Sequence, residues 1–159
     1  MIHGLTEEEI HRLFIVGFSS ACLFGPLSGT LWDRFGRRNG VIIYGLLYGA
    51  SCLITAHGSS FVALLCGRVL GGISTAILFS VFESWLVSAG QSASLSSRGL
   101  DYIFTQQTMA NSLIAVASGF FAQFIADVFG VEFVFDFAAL VLMTLAFITP
   151  FILDENYGK

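Results

Sequence analysis

Apolar positions in this chain do not alternate with polar ones. They run in long blocks separated by short polar breaks, and each block is close to the roughly 20 residues that a bilayer crossing takes. The first block covers about residues 13–32 and follows Thr6 and Glu9, whose spacing is that of a capping box at a helix start. Further blocks cover about 41–56, 61–87, 102–126 and 133–153. Between them lie Asp33 to Asn39, the short His57-Gly58-Ser59-Ser60 break, the stretch Ser88 to Asp101 and an acidic-edged turn from Asp127 to Glu132; Asp154 and Glu155 end the last block. Ser88 to Asp101, rich in Ser, Ala and Gly, reads as the longest loop. The pattern predicts an all-α membrane protein, a polytopic bundle of transmembrane helices.

Composition sharpens this. Of 159 residues 55% are hydrophobic and only 11% charged, with mean hydropathy +0.82, whereas soluble domains carry about 25% charged residues. A water-facing surface cannot be built from so few charges, and the length leaves room for roughly five crossings and little else. The net charge of −4 and the scattered basic residues exclude a nucleic-acid partner. Cys22, Cys52 and Cys66 fall inside apolar blocks and read as small hydrophobes rather than a disulfide framework. No cleavable leader pattern precedes the first block, which is expected to direct insertion itself.

Charge chiefly reports topology. Arg34, Arg37 and Arg38 follow the first block, Arg98 the third and Lys159 the fifth; the opposite loops hold Glu7 to Glu9, Asp127, Glu132 and, among basic residues, only Arg12. The positive-inside rule therefore places the chain start outside and the Arg34 to Arg38 loop and the chain end in the cytoplasm. Small residues recur four apart at Gly25 and Gly29, Gly45 and Gly49, Gly67 and Gly71, and Ala115 and Gly119, the spacing that lets helices approach closely.

Chemistry-bearing residues are few. Arg68 lies in the outer half of the third block and Glu83 toward its inner end; fifteen positions apart, they are separated by about 22 Å along a helix and cannot pair. Glu83 is expected to form a charge cluster with Arg37 or Arg38. Arg68, costly within a span, is the basic candidate for a cavity, either engaging an oxyanion or holding helices together. Gln107 and Asn111 share one face of the fourth block, as polar contacts between helices or as further substrate donors. Gln106 and Gln123 in the same block and Asp136 at the start of the fifth are the other polar residues within spans. His3, His11 and His57 lack metal-ligand spacing, and no Walker loop, zinc motif or nucleophile elbow is present. An enzyme, an ATP-driven pump and a cofactor-dependent protein are thus not expected.

The segment Gly29-Thr-Leu-Trp-Asp33-Arg34-Phe-Gly36-Arg37-Arg38 matches the loop signature of the major facilitator superfamily, Gly-x-x-x-Asp-Arg-x-Gly-Arg-Arg, at every fixed position. In that motif Gly29 would let another helix approach, Gly36 would permit a tight reversal and Asp33 would face the N-terminal end of a neighbouring helix. Gly67-Arg68-Val-Leu-Gly71-Gly72-Ile, continuing to Phe82-Glu83-Ser84-Trp85, resembles the fourth helix of the molybdate-anion transporter family. Leu13 to Ser20, Phe135-Asp136 and Glu155-Asn156-Tyr157-Gly158 resemble it too. The resemblance covers essentially the whole chain, aligned to helices two through six, and so implies a partial N-terminal six-helix domain whose first helix and second half lie elsewhere. It further implies secondary transport of molybdate or another small anion across the plasma membrane, with the lipid bilayer and the second transporter half as partners. Another solute carried on the same fold, or a truncated non-transporting membrane protein, remain the alternatives. Expressed alone, the chain is expected to insert without accumulating molybdate.

Overall fold

The computed structural model describes residues 4–157; His3, Gly158 and Lys159 lie outside that range. Five helices follow one another with minimal connections: α1 (Glu7–Phe35), α2 (Arg37–His57), α3 (Phe61–Ser92), α4 (Ser97–Phe129) and α5 (Val131–Ile152). All five are long and apolar enough to cross a membrane.

Their ends follow from local chemistry. The Thr6 hydroxyl accepts from the Glu9 amide at 3.3 Å while a Glu9 carboxylate oxygen accepts from the Thr6 amide at 2.9 Å, the reciprocal capping box, so α1 starts ahead of its apolar block. Ser60 and Ser96 cap α3 and α4 through Ala63 and Gly99, both at 3.2 Å. Gly36 and Gly130, at φ +99° and +102°, each break the chain in one residue, a backbone shape that side chains disfavour.

The expected Ser88 to Asp101 loop is mostly helix. α3 runs through Ser92, α4 begins at Ser97, and only residues 93–96 turn. Hydropathy marks where hydrocarbon ends, not where hydrogen bonding ends: the 32 residues of α3 make about 48 Å of helix against roughly 30 Å of hydrocarbon. The surplus projects into the polar layer. For the same reason the Asp127 to Glu132 turn reduces to Gly130, and Asp33 to Asn39 to Gly36.

α3 is the central element, packed against α1 and α2; α2 also packs against α5, and α4 leans mainly on α5. Trp32, Val41, Tyr44, Ile77 and Val81 form the buried core where α1, α2 and α3 meet. Serine hydroxyls tie the helices together in place of a hydrophobic drive. Ser28 donates to the Ala76 carbonyl at 3.0 Å and lies 2.5 Å from the Ser80 hydroxyl, and Ser51 donates to the Gly67 carbonyl at 2.7 Å.

Small residues divide into two groups. A Cβ on Gly45 would stand 2.7 Å from the Leu142 carbonyl, and one on Gly67 would stand 2.9 Å from Ile54. Gly49 meets Met143 and Gly71 meets the Ser51 hydroxyl at similar range. Gly25, Gly29 and Gly119 instead have nothing within 4 Å. The expected close approach at Gly29 is therefore not made within these residues. α4 is nearly bare, with Ile125 its one buried residue among those described.

Candidate functional site

At the basic end of the bundle, Gly36 turns α1 into α2 and brings Asp33 and Arg37 together across the break. Arg37 donates to one Asp33 oxygen through Nε at 2.9 Å and a terminal nitrogen at 2.6 Å. The chain end closes over them. The Arg37 amide donates to the Asn156 carbonyl at 3.1 Å, the Arg37 guanidinium reaches Asn156 Oδ1 at 3.3 Å, and the Arg38 amide donates to Glu155 at 2.9 Å. Arg38 Nε faces the second Glu155 oxygen at 3.6 Å. Both of those atoms are buried without a hydrogen bond, so their mutual attraction stands in for one. Trp85 of α3 donates to the Asp154 carbonyl at 3.0 Å, and Asn156 donates to the Trp85 carbonyl at 3.4 Å. One short segment thus latches α5 to α1, α2 and α3.

Gly36 makes room for this latch, since a Cβ there would sit 2.6 Å from the Glu155 carboxyl carbon. Within the described residues Asp33 faces Arg37. Arg34 is exposed and unpaired among the described residues. Glu83 does not join the cluster: the acids beside Arg37 and Arg38 are Asp33 and Glu155. Its axial depth was readable, but Trp85 and the chain end occupy the side of α3 that faces the arginines, and Glu83 points elsewhere.

Glu83 lines a groove between α3 and α4 of about 350 Å³, together with Phe79, Phe82, Gln107, Thr108 and Asn111. It lies nine residues before the end of α3, and Gln107 ten residues after the start of α4. The antiparallel pair therefore sets them at one depth.

Arg68 occupies a different concavity, of about 210 Å³, bounded by Phe14 and Gly17 of α1, Tyr48 and Ser51 of α2, and Thr75 of α3. Its guanidinium carbon stands 5.5 Å from the Phe14 ring centroid, a cation–π contact. It has no carboxylate partner among the described residues. Ser51 and Thr75 commit their hydroxyl protons to the Gly67 and Gly71 carbonyls at 2.7 and 2.9 Å, which leaves Arg68 and the Tyr48 phenol as the donors facing this space. Phe14 and Tyr48 were not legible as site residues, since aromatic residues are common throughout the spans.

Arg68 is seven residues from the end of α3 opposite the arginine cluster, Asn111 eighteen from the corresponding end of α4. Their depths differ by about 16 Å, so no small ion touches both at once. On α3 alone, Arg68, Gly72, Thr75, Phe79 and Glu83 fall on one face at helical spacing. At the end of the bundle away from the arginine cluster, His57 Nε2 meets Asp136 Oδ1 at 2.7 Å, joining the end of α2 to the start of α5; sequence reading had assigned neither a partner.

Comparison with known proteins accords with these features. Residues 1–159 match a family described as sugar transporters with 12 transmembrane segments. The chain is 34% identical over 158 residues to the molybdate-anion transporter of Xenopus laevis, covering 96% of this chain and 34% of that protein. It is 31% identical over 154 residues to the molybdate-anion transporter of Danio rerio, covering 96% and 32%. It is 26% identical over 137 residues to multidrug resistance protein 2 of Bacillus subtilis, covering 86% and 33%. The chain spans about a third of the length of these relatives. No solved structure matches it. With its Gly29 to Arg38 signature, five spanning helices and a match along its whole length, this chain is an integral, multi-pass membrane protein and belongs to a family of 12-segment transporters of the major facilitator superfamily.

Proposed function

We propose that the chain forms helices two through six of a secondary transporter's N-terminal half, and that the transporter moves a small oxyanion, molybdate foremost, across the plasma membrane. The observation that carries the reading is Arg68: a cation at membrane depth, facing an open concavity, with no carboxylate to neutralise it. Such a charge is retained where an anion visits it. A guanidinium offers paired donors to two oxygens of a tetrahedral ion, and the Tyr48 phenol adds a neutral donor. Phe14 covers one face of the guanidinium and steers approach to its edge.

Gln107 and Asn111 come later on the same path, at the level of the α3–α4 groove. The ion meets them after it leaves Arg68, not beside it. Alternating access then comes from rocking this half against a second one, and the open faces of α1 and α4 suit such a partner. The Arg37–Asp33 and Arg38–Glu155 latch keeps the cytoplasmic end of this half rigid while it moves.

A second reading has its own support. The matched family is described as sugar transporters, and an amide-lined groove suits hydroxyl groups. Transplanting residues 1–159 into the Xenopus laevis relative, in place of its matching third, separates the two. Uptake of radiolabelled molybdate by cells carrying the chimera, undiminished by excess sugar, is the expected result. Sugar uptake without molybdate uptake would overturn the oxyanion reading.

A further inference from the structure

Between Arg98 and Lys159 the sequence holds acids but no lysine, arginine or histidine, so the hairpin of α4 and α5 carries negative charge alone. Asp127 accepts from the Gln123 side-chain amide at 2.8 Å. Asp136 meets His57 of α2 through one oxygen. Its other oxygen has no hydrogen-bond partner, and no arginine or lysine pairs with it, among the described residues. Because His57 is the last residue of α2, the pair marks the level at which that helix leaves the apolar layer.

Asp136 also lines a groove of about 480 Å³ between α4 and α5, whose remaining walls are apolar and mostly phenylalanine. Phe129 and Phe133 pair at 6.0 Å beside the Gly130 break, and Phe121 and Phe137 pair at 5.2 Å deeper in. Phe124 belongs to neither pair. Phe124 and Asp136 stand six residues on either side of Gly130, so they share one depth between the two ring pairs. The faces of aromatic rings attract cations, quaternary ammonium above all, and the carboxylate beside them supplies a counter-charge. A compact metal ion would ask for more oxygen ligands than one carboxylate offers. An anion would meet only like charge. Past Asp136 the groove follows α5 as far as Leu140, roughly 14 Å from the helix start, over apolar surface that suits an acyl chain.

We propose that this groove binds phosphatidylcholine, with the trimethylammonium group against Phe124 and Asp136 and an acyl chain running along Phe121, Phe137 and Leu140 toward the membrane centre. The lipid fills a gap that protein leaves open. It ties α4, which buries only Ile125 among its described residues, to α5, the helix on which it mainly leans. The inference needs only a chain that spans a membrane and is independent of the solute transported.

The test is native mass spectrometry of the 159-residue chain and of the Xenopus laevis chimera. Each is released from detergent with equal amounts of dioleoyl phosphatidylcholine and dioleoyl phosphatidylglycerol, which differ in headgroup alone. Choline-lipid adducts should exceed glycerol-lipid adducts about tenfold in both proteins. Asp136→Asn should bring that ratio close to one. Phe124→Leu keeps apolar bulk but removes the ring face, and should lower the ratio about threefold. His57→Leu breaks the same tie between α2 and α5 as Asp136→Asn yet keeps the carboxylate, so the preference should survive it. Equal binding of the two lipids by the parent, or an undiminished preference in Asp136→Asn, would overturn the proposal. Loss of the preference in His57→Leu would overturn it too, by showing that the helix tie and not the headgroup contact matters. So would a preference present in the chain and absent from the chimera, since the second half would then cover the groove.

Discussion

Alanine placed at Gly72 and at Gly119, two glycines in the interiors of long helices, should have opposite effects. At Gly72 a Cβ would land on the Gly17 carbonyl oxygen, 2.6 Å from Ser20 Cβ and 3.0 Å from the Ala21 amide nitrogen. These atoms are α1 backbone or fixed to it, so no side chain can swing aside. The helices must part by several tenths of an ångström or more. That loosens the shared α1–α3 packing and strains the hydrogen bond from Ser28 to the Ala76 carbonyl, 3.0 Å at present. Overpacking of this kind costs about 1–3 kcal/mol, against about 0.5–1 kcal/mol gained by replacing glycine in a helix. The net is a loss of roughly 0–2.5 kcal/mol. At Gly119, within α4, nothing lies within 4 Å, so only the gain remains. Thermal unfolding of the purified chain in mild detergent reads this directly, at roughly 2–4 °C per kcal/mol for a chain of this size. Gly72→Ala should melt below the parent and Gly119→Ala at or above it. Equal shifts, or a larger loss at Gly119, would refute the packing described for α1 and α3.

Gly36→Ala should destabilise by about 1–2 kcal/mol from its left-handed backbone alone, and further by displacing Glu155 from its cradle; raised proteolysis after Tyr157 in the variant would report the released chain end. Arg37→Ala breaks charged hydrogen bonds of a buried side chain to Asp33 and should cost about 1.5–3 kcal/mol, discounted toward the lower figure because Asp33 is half exposed, while Arg34→Ala, at an exposed and unpaired site, should stay within about 0.5 kcal/mol; denaturation of the two variants side by side checks the ranking. A cysteine at Asn39 should react with a membrane-impermeant maleimide only from the cytoplasmic side, as the arginine asymmetry requires.

The helices were legible because a span must satisfy its backbone internally and therefore reads as an unbroken apolar run. Their ends were less so: Ser88 to Ser92 and Ser97 to Asp101 are polar yet helical, since nothing in hydropathy forbids a helix from leaving the membrane. The Gly29 to Arg38 signature was legible as a unit because its residues are adjacent. Its partner was not, because Glu155 stands 117 positions from Arg38 and no local period connects them. Glu83 shows the same limit from the other side, since depth along a helix follows from counting while facing follows from which helices pack around it. Gly25 and Gly29 match Gly45 and Gly49 in spacing, yet only the latter pair meets a neighbour, for α5 lies against α2 and none of the described helices covers that face of α1.

The central claim is that Arg68 holds the transported anion, and uptake by the Xenopus laevis chimera carrying substitutions at that position tests it most directly. Arg68→Gln removes the charge and should reduce molybdate uptake by at least about tenfold, the equivalent of one lost charged hydrogen bond. Arg68→Lys keeps the charge without the paired donors and should fall between the two. Surface expression at parental level with unchanged molybdate uptake in Arg68→Gln would contradict the account.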